Sequence, residues 1–137
     1  MATLNTYLRF NDAKCREAMN FYQQCLGGEL SFQTAGESPM ASEMPEGSKD
    51  LIMHSTLKAP GILIMGSDMM RDKATVGDNF AMSLDCQSEA EIRDLFAKLS
   101  AGGDVFMQLE DVPWGAIFGM ATDKYGVEWM FNYQKTK

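Results

Sequence analysis

The sequence predicts an α+β domain made of two copies of a βαβββ unit, and three observations predict it. Short runs with alternating apolar residues lead into two helix-period segments. Each of those segments stops at a glycine pair, Gly27-Gly28 and Gly102-Gly103. Residues of like type then recur at one constant offset: Leu8 with Met82, Phe10 with Leu84, Phe21 with Leu95, and Tyr22 with Phe96. After one inserted residue the glycine pairs align, as do Phe32 and Met107, and further on Gly61 meets Gly126 and Met65 meets Met130. Such a duplication gives module one, 1–75, and module two, 76–137, within a single domain; 137 residues suffice for one core.

The elements follow in order. In "LNTYLRF" (4–10), Leu4, Thr6, Leu8 and Phe10 alternate with Asn5, Tyr7 and Arg9, as on a half-buried strand. A helix follows, with Asp12 as its expected N-cap and an apolar stripe of Cys15, Ala18, Tyr22, Cys25 and Leu26. Gly27-Gly28 ends it where a left-handed residue is wanted. Strands are expected at "ELSFQT" (29–34), "LIMHSTL" (51–57) and "GILIMG" (61–66). The segment 34–50 lacks periodicity and is rich in Gly, Pro and Ser, so it reads as a loop, either a lid carrying Met40 and Met44 as apolar contacts or disordered. After a polar connector (67–78), "NFAMSLD" (79–85) is the next strand. Ser88 and Glu91 form a capping-box signature, and Ile92, Leu95, Phe96 and Leu99 make the second helical stripe. "DVFMQL", "AIFGMAT" and "VEWMFNY" supply the last three strands.

Charge and composition exclude several classes of function. A net charge of −7 opposes binding to nucleic acid or to an anionic membrane surface, since both need a basic face. No apolar run approaches the ~20 residues that span a bilayer. "MATLNTYLRF" lacks the basic-then-apolar plan of a signal peptide, so a cytoplasmic location is expected. Cys15, Cys25 and Cys86 are odd in number and show no CxxC spacing, which points to buried structural thiols.

Three stretches, "FNDAKCREAMNFYQQCLGGEL" (10–30), "HSTLKAPGILIMGSD" (54–68) and "WGAIFGMATDKYGVEWMFN" (114–132), carry a resemblance across nearly the whole chain. They resemble the PhnB-like branch of the vicinal oxygen chelate (glyoxalase/bleomycin resistance/dioxygenase) superfamily, a branch also labelled 3-demethylubiquinone-9 3-methyltransferase-like. The resemblance implies paired curved sheets around a small-molecule cavity and a homodimer. The methyltransferase label finds no support in the residues: the glycine pairs close helices and do not form a nucleotide-binding turn after a first strand.

Enzymes of this superfamily hold a divalent metal through residues on the first and last strands of each module. The matching positions here are Asn5, Met65, Asn79 and Met130. Neutral amides and thioethers suit neither Zn²⁺ nor Mg²⁺, Mn²⁺ or Fe²⁺, so no metal and no other cofactor is expected. A register two residues different brings Glu128 or Asn132 into play, because both share a face with Met130.

His54 is the only histidine and the candidate general base or proton donor. Tyr7 and Arg9, on one face with Asn5, offer a hydroxyl and a cation to a ligand, and Trp114 offers an aromatic wall. Met65, Asn79, Glu128, Met130 and Asn132 complete the expected pocket. Trp129 and Phe131 belong to the opposite, helix-facing side, and Asp123, Gly126 and Asp68 to turns. Three functions fit this set: a metal-free small-molecule protein with its own reaction, a resistance-type sequestering protein, and a metal-dependent lyase or dioxygenase-like enzyme.

Overall fold

The computed structural model describes residues 1–39, 41–43, 47–70 and 72–135. In chain order the strands and helices are β1 (Thr6–Phe10), α1 (Cys15–Leu26), β2 (Glu29–Thr34), β3 (Ile52–Ala59), β4 (Ile62–Asp68), β5 (Met82–Asp85), α2 (Glu89–Ser100), β6 (Asp104–Val112), β7 (Ala116–Thr122) and β8 (Glu128–Gln134). This is an α+β protein with the βαβββ order written twice. The chain divides into two compact units, Met1–Thr75 and Val76–Lys137.

Within the first unit the sheet runs β1-β4-β3-β2, with β1 parallel to β4 and the other pairs antiparallel. The second unit's sheet runs β5-β8-β7-β6 with the same pattern. Each helix covers one face of its own sheet. The buried stripe of α1 is Cys15, Ala18, Met19, Tyr22 and Cys25, at the spacing of an amphipathic helix. It packs on β3 and β4, whose Leu57 and Ile64 are at most 3 % exposed. On α2 the stripe is Ile92, Phe96 and Leu99, and Phe96 meets Phe131 edge to face at 5.1 Å. Trp129 and Phe131 lie on this helix side of β8, as their alternation with Met130 predicts.

The paired glycines do two different jobs. Gly27 and Gly102 both take φ near +77° just past the helix ends, a positive φ that favours glycine. The second of each pair admits a neighbouring strand: a Cβ on Gly28 would lie 2.5 Å from the Lys58 carbonyl oxygen, and one on Gly103 2.1 Å from that of Thr122.

Both N-termini are capped, but only one by the residue the sequence suggests. Ser88 Oγ accepts from the Glu91 amide at 3.1 Å, while Glu91 Oε1 accepts from the Gln87 amide at 2.7 Å. Asp12 does not cap α1. It and Ala13 both sit at φ +58° in a left-handed turn, and the helix starts two residues later. The carboxylate at that helix end comes from β4 instead. Asp68 Oδ1 accepts from the Cys15 amide at 2.9 Å, and its Oδ2 accepts from the Ile52 amide at 2.8 Å. Asp68 is therefore a buried tie between three elements rather than a turn residue. Asp123 does play the turn role expected of it. Its Oδ1 accepts from the Tyr125 and Val127 amides and its Oδ2 from the Trp129 indole at 2.8 Å.

Two strands are shorter than their alternation suggests. The first ladder begins at Thr6, leaving Leu4 98 % exposed, and the fifth strand begins at Met82, leaving Phe80 82 % exposed. In the second case the β5–β8 ladder opens with Met82 opposite Trp129, one residue after β8 begins at Glu128.

The segment 34–50 is built at both ends. Two 3₁₀ turns, Ala35–Glu37 and Ala41–Glu43, occupy part of it. The Ala35 amide donates to the Leu51 carbonyl and the Gly36 amide to that of Lys49, both at 2.9 Å, extending the pairing beyond β2 and β3. Glu37 caps the first turn through the Thr34 amide and hydroxyl, and those bonds hold its carboxyl below the usual carboxylate range. Met40 and Met44 lie outside the described residues.

Candidate functional site

Alternation along each strand leaves the face opposite the helix open, and most of the sequence's candidate residues fall there. In the first unit β1 exposes Tyr7 and Arg9 while Leu8 and Phe10 turn to α1. The register puts Tyr7 opposite Met65 and Arg9 opposite Ser67, and across β4 it puts Thr56 opposite Met65. His54, two residues before Thr56, shares that face.

These side chains form a connected row. The Tyr7 hydroxyl lies 3.2 Å from His54 Nδ1, reaching over β4 to do so. On the other edge of the imidazole, Nε2 lies 3.3 Å from Thr56 Oγ1. The Tyr7 and His54 rings are stacked, with centroids 5.6 Å apart and planes inclined at 28°. The Arg9 guanidinium lies 6.0 Å from the centre of the Tyr7 ring. Asn5 shares the parity of Tyr7 but precedes the ladder and is exposed. A neutral imidazole presents one donor and one acceptor, so the two hydroxyls bracketing His54 link three exchangeable protons into one chain.

The open face of the second unit differs in chemistry. Ser83 lies opposite Met130, which lies opposite Met120; on the next rung Asp85 faces Asn132, which faces Phe118. Asn132 Nδ2 donates to Asp85 Oδ1 at 3.4 Å. Glu128 shares this face at the start of β8, beside Thr122. Trp114, 59 % exposed in the β6–β7 turn, sets its ring edge to face against Phe118 at 6.0 Å. Gln134 holds that turn by donating to the Trp114 carbonyl at 3.1 Å. Asn79 lies before β5 and is exposed. Thr56, Ser67, Phe118, Met120 and Asp85 are additions to the expected set. For Thr56 the signal was present, since it stands two residues from His54 on one strand.

Met65 and Met130 stand at equal distances from their turn glycines, yet not on matching rungs. Met65 pairs with Tyr7, whereas Met130 pairs with Ser83, the counterpart of Arg9 at the first-strand offset. The hairpin before β4 is tight, with Ala59 opposite Ile62; the one before β8 spans five residues between Thr122 and Glu128. The returning strand of the second unit is thus offset by two residues against its first strand.

The donor chemistry does not fit a superfamily-type divalent metal. At the positions the resemblance marks, each unit supplies an amide outside its ladder and a thioether, and the two-residue shift in the second unit adds Glu128 as a lone carboxylate. Among the described residues no three His, Cys, Asp or Glu side chains gather in a ligand group. The thiols add nothing reactive. Burial pushes Cys15 and Cys86 up to about 11, and for Cys86 the nearby Glu91 and Asp85 carboxylates act in the same direction.

The profile of the Glyoxalase/Bleomycin resistance protein/Dioxygenase superfamily matches residues 5–131. Protein YjdN of Escherichia coli K12 is 33 % identical to this chain, over 96 % of it and 95 % of its own length. The structure of protein PA1353 from Pseudomonas aeruginosa superposes with a TM-score of 0.83 at 36 % identity, covering 98 % of this chain and all of that one. A Bacillus cereus PhnB protein, described as a putative 3-demethylubiquinone-9 3-methyltransferase, superposes with a TM-score of 0.76 at 28 % identity, over 96 % of this chain and 99 % of its own. The connection from β1 to α1 in the present chain, Asn-Asp-Ala-Lys, has none of the glycines of a nucleotide-binding turn. By its profile match and these relatives, the chain belongs to the glyoxalase/bleomycin resistance protein/dioxygenase superfamily.

Proposed function

We propose that this protein binds a small organic molecule without a metal ion, on the open face that carries Tyr7, Arg9, His54 and Met65. The observation that carries the reading is the hydrogen-bonded row of Tyr7, His54 and Thr56 beside the Arg9 cation. Stacked rings offer a flat apolar surface, the hydroxyls and imidazole offer exchangeable protons, and Arg9 offers positive charge. His54 is the proton-transfer group of any reaction performed there. The second unit's own open face carries Trp114, Glu128, Met130 and Asn132 as its ligand-facing residues; Asn5 lies at the margin of the first face and Asn79 at the margin of the second. The protein needs no cofactor, and a divalent metal is not part of its action. It works as a cytoplasmic homodimer without nucleic-acid or membrane partners. A net charge of −7 supports the lack of nucleic-acid and anionic-membrane partners.

A second reading, sequestration without turnover, has its own support. Thioethers of Met65, Met120 and Met130 stand on the open faces, and methionine adapts to varied apolar shapes. Protein purified without chelator is analysed for metal and then melted against a panel of planar aromatic compounds, with and without EDTA. Sub-stoichiometric metal and EDTA-independent melting shifts are expected. Stoichiometric metal whose removal abolishes the shifts overturns the proposal. Turnover of a shifting compound, lost in His54→Ala, separates the enzyme from the sequestering protein.

A further inference from the structure

We infer that the Tyr7–His54–Thr56 row is a proton relay that takes up a planar weak acid, a compound with one acidic hydroxyl on a conjugated ring, and holds it as its anion. The inference rests on the binding reading above and adds the ligand's class and its charge when bound.

Arg9 is the first reason. The chain carries 19 acidic residues against 12 basic ones, yet Arg9 forms no ion pair among the described residues. It stands on the same face as Tyr7, two residues along one strand, with its guanidinium 6.0 Å from the phenol ring. An unpaired guanidinium beside an aromatic surface suits an anion whose charge is spread over a flat molecule.

The second reason is the order of the hydroxyls. His54 Nδ1 meets the Tyr7 hydroxyl and Nε2 meets the Thr56 hydroxyl. With the Nε2 proton donated to Thr56 Oγ1, Nδ1 is free to accept from the phenol. Tyr7 is 41 % exposed, so its oxygen is the end of the row that a ligand reaches. When a ligand hydroxyl donates to that oxygen, its proton passes to Tyr7 as the Tyr7 proton passes to Nδ1. One O–H bond of the ligand breaks and one N–H bond forms on His54. The ligand is left an oxyanion, His54 becomes an imidazolium, and Tyr7 ends as it began.

Other charged groups on this face are few. Lys58 of β3 lies further along, opposite Glu29 of β2, and β4 contributes only Leu63, Met65 and Ser67. Arg9 is thus the cation next to Tyr7, and Thr56 positions the imidazole rather than touching the ligand.

The test uses 4-nitrophenol, whose anion absorbs at longer wavelength than its neutral form, with 4-nitroanisole as the analogue without an acidic hydrogen. Titrations are run at a pH where the free phenol is protonated. The expected result is growth of the phenolate band on binding, with the anisole bound at least tenfold more weakly. Tyr7→Phe and His54→Gln lose the band. Arg9→Gln weakens binding of the phenol tenfold and leaves the anisole unchanged. Thr56→Val loses the band while Thr56→Ser keeps it, a contrast that loss of packing alone does not produce. Circular dichroism establishes that each variant is folded. Both probes binding equally, with the phenol's spectrum unchanged, overturns the relay and leaves the binding reading standing. No binding of either probe overturns both.

Discussion

Replacing Asp68 by Asn tests whether the buried tie at the start of α1 organises the first unit. The carboxylate accepts from the Cys15 amide at 2.9 Å and the Ile52 amide at 2.8 Å while only 5 % exposed. Asparagine keeps one acceptor oxygen and turns the other into an NH₂ group aimed at a second donor. A hydrogen bond to a charged acceptor contributes about 1.5–3 kcal/mol, and a buried donor left without a partner costs about 1–3 kcal/mol more. The α1 terminus also loses a negative charge, a contribution of about 0.3–1 kcal/mol. The total is about 3–7 kcal/mol of the ~5–15 that hold a typical domain together. For a chain of this size that lowers the melting temperature by roughly 10–25 °C. Urea unfolding followed by circular dichroism reads the change, with Asp12→Asn as the control. Asp12 caps no helix among the described residues, so its substitution stays within about 0.5 kcal/mol of the parent. If Asp68→Asn matches the parent, or Asp12→Asn is the damaging change, the assignment of the cap to β4 is wrong.

Gly103→Ala puts a Cβ 2.1 Å from the Thr122 carbonyl oxygen, so the β6–β7 ladder must move. A loss of about 1–3 kcal/mol in urea titrations is expected, the range of an overpacked site. Gly47→Ala, where a Cβ meets nothing within 4 Å, isolates the separate effect of positive φ. The buried thiols predict a pH effect. Cys15 and Cys86 ionise near 9 when unfolded and near 11 when folded, so below pH 9 both states keep the proton. Between those values the unfolded chain loses it first, and stability falls by up to about 1.4 kcal/mol per pH unit for each thiol. Urea midpoints between pH 8 and pH 11 should decline less steeply in Cys86→Ala; identical slopes refute the link to this thiol.

Much of the fold was legible because its signals are local. Helix stripes, glycine stops and the Ser88–Glu91 box each act within one or two turns of chain, so spacing alone reveals them. The duplicated order was legible for the same reason. Asp12 misled because it has the right residue type at the right place, while a carboxylate 53 residues away holds that helix end. Strand lengths misled because alternation continues past the last rung that finds a partner. Of the candidate site, the shared face of Tyr7 and Arg9 followed from period-two alternation.

By itself, then, the chain's order of residues determined what each segment becomes, since periodicity, caps and turn glycines are properties of neighbours. Only the tertiary structure decided which segments lie side by side. Tyr7 and His54 are 47 residues apart, and they meet because the Pro60-Gly61 hairpin returns β4 between their strands. In the second unit β8 lies two residues further along its first strand, which takes Met130 off the rung that Met65 occupies. Register depends on turn geometry and on which backbone amides find partners, and neither is written in the pattern of any one strand.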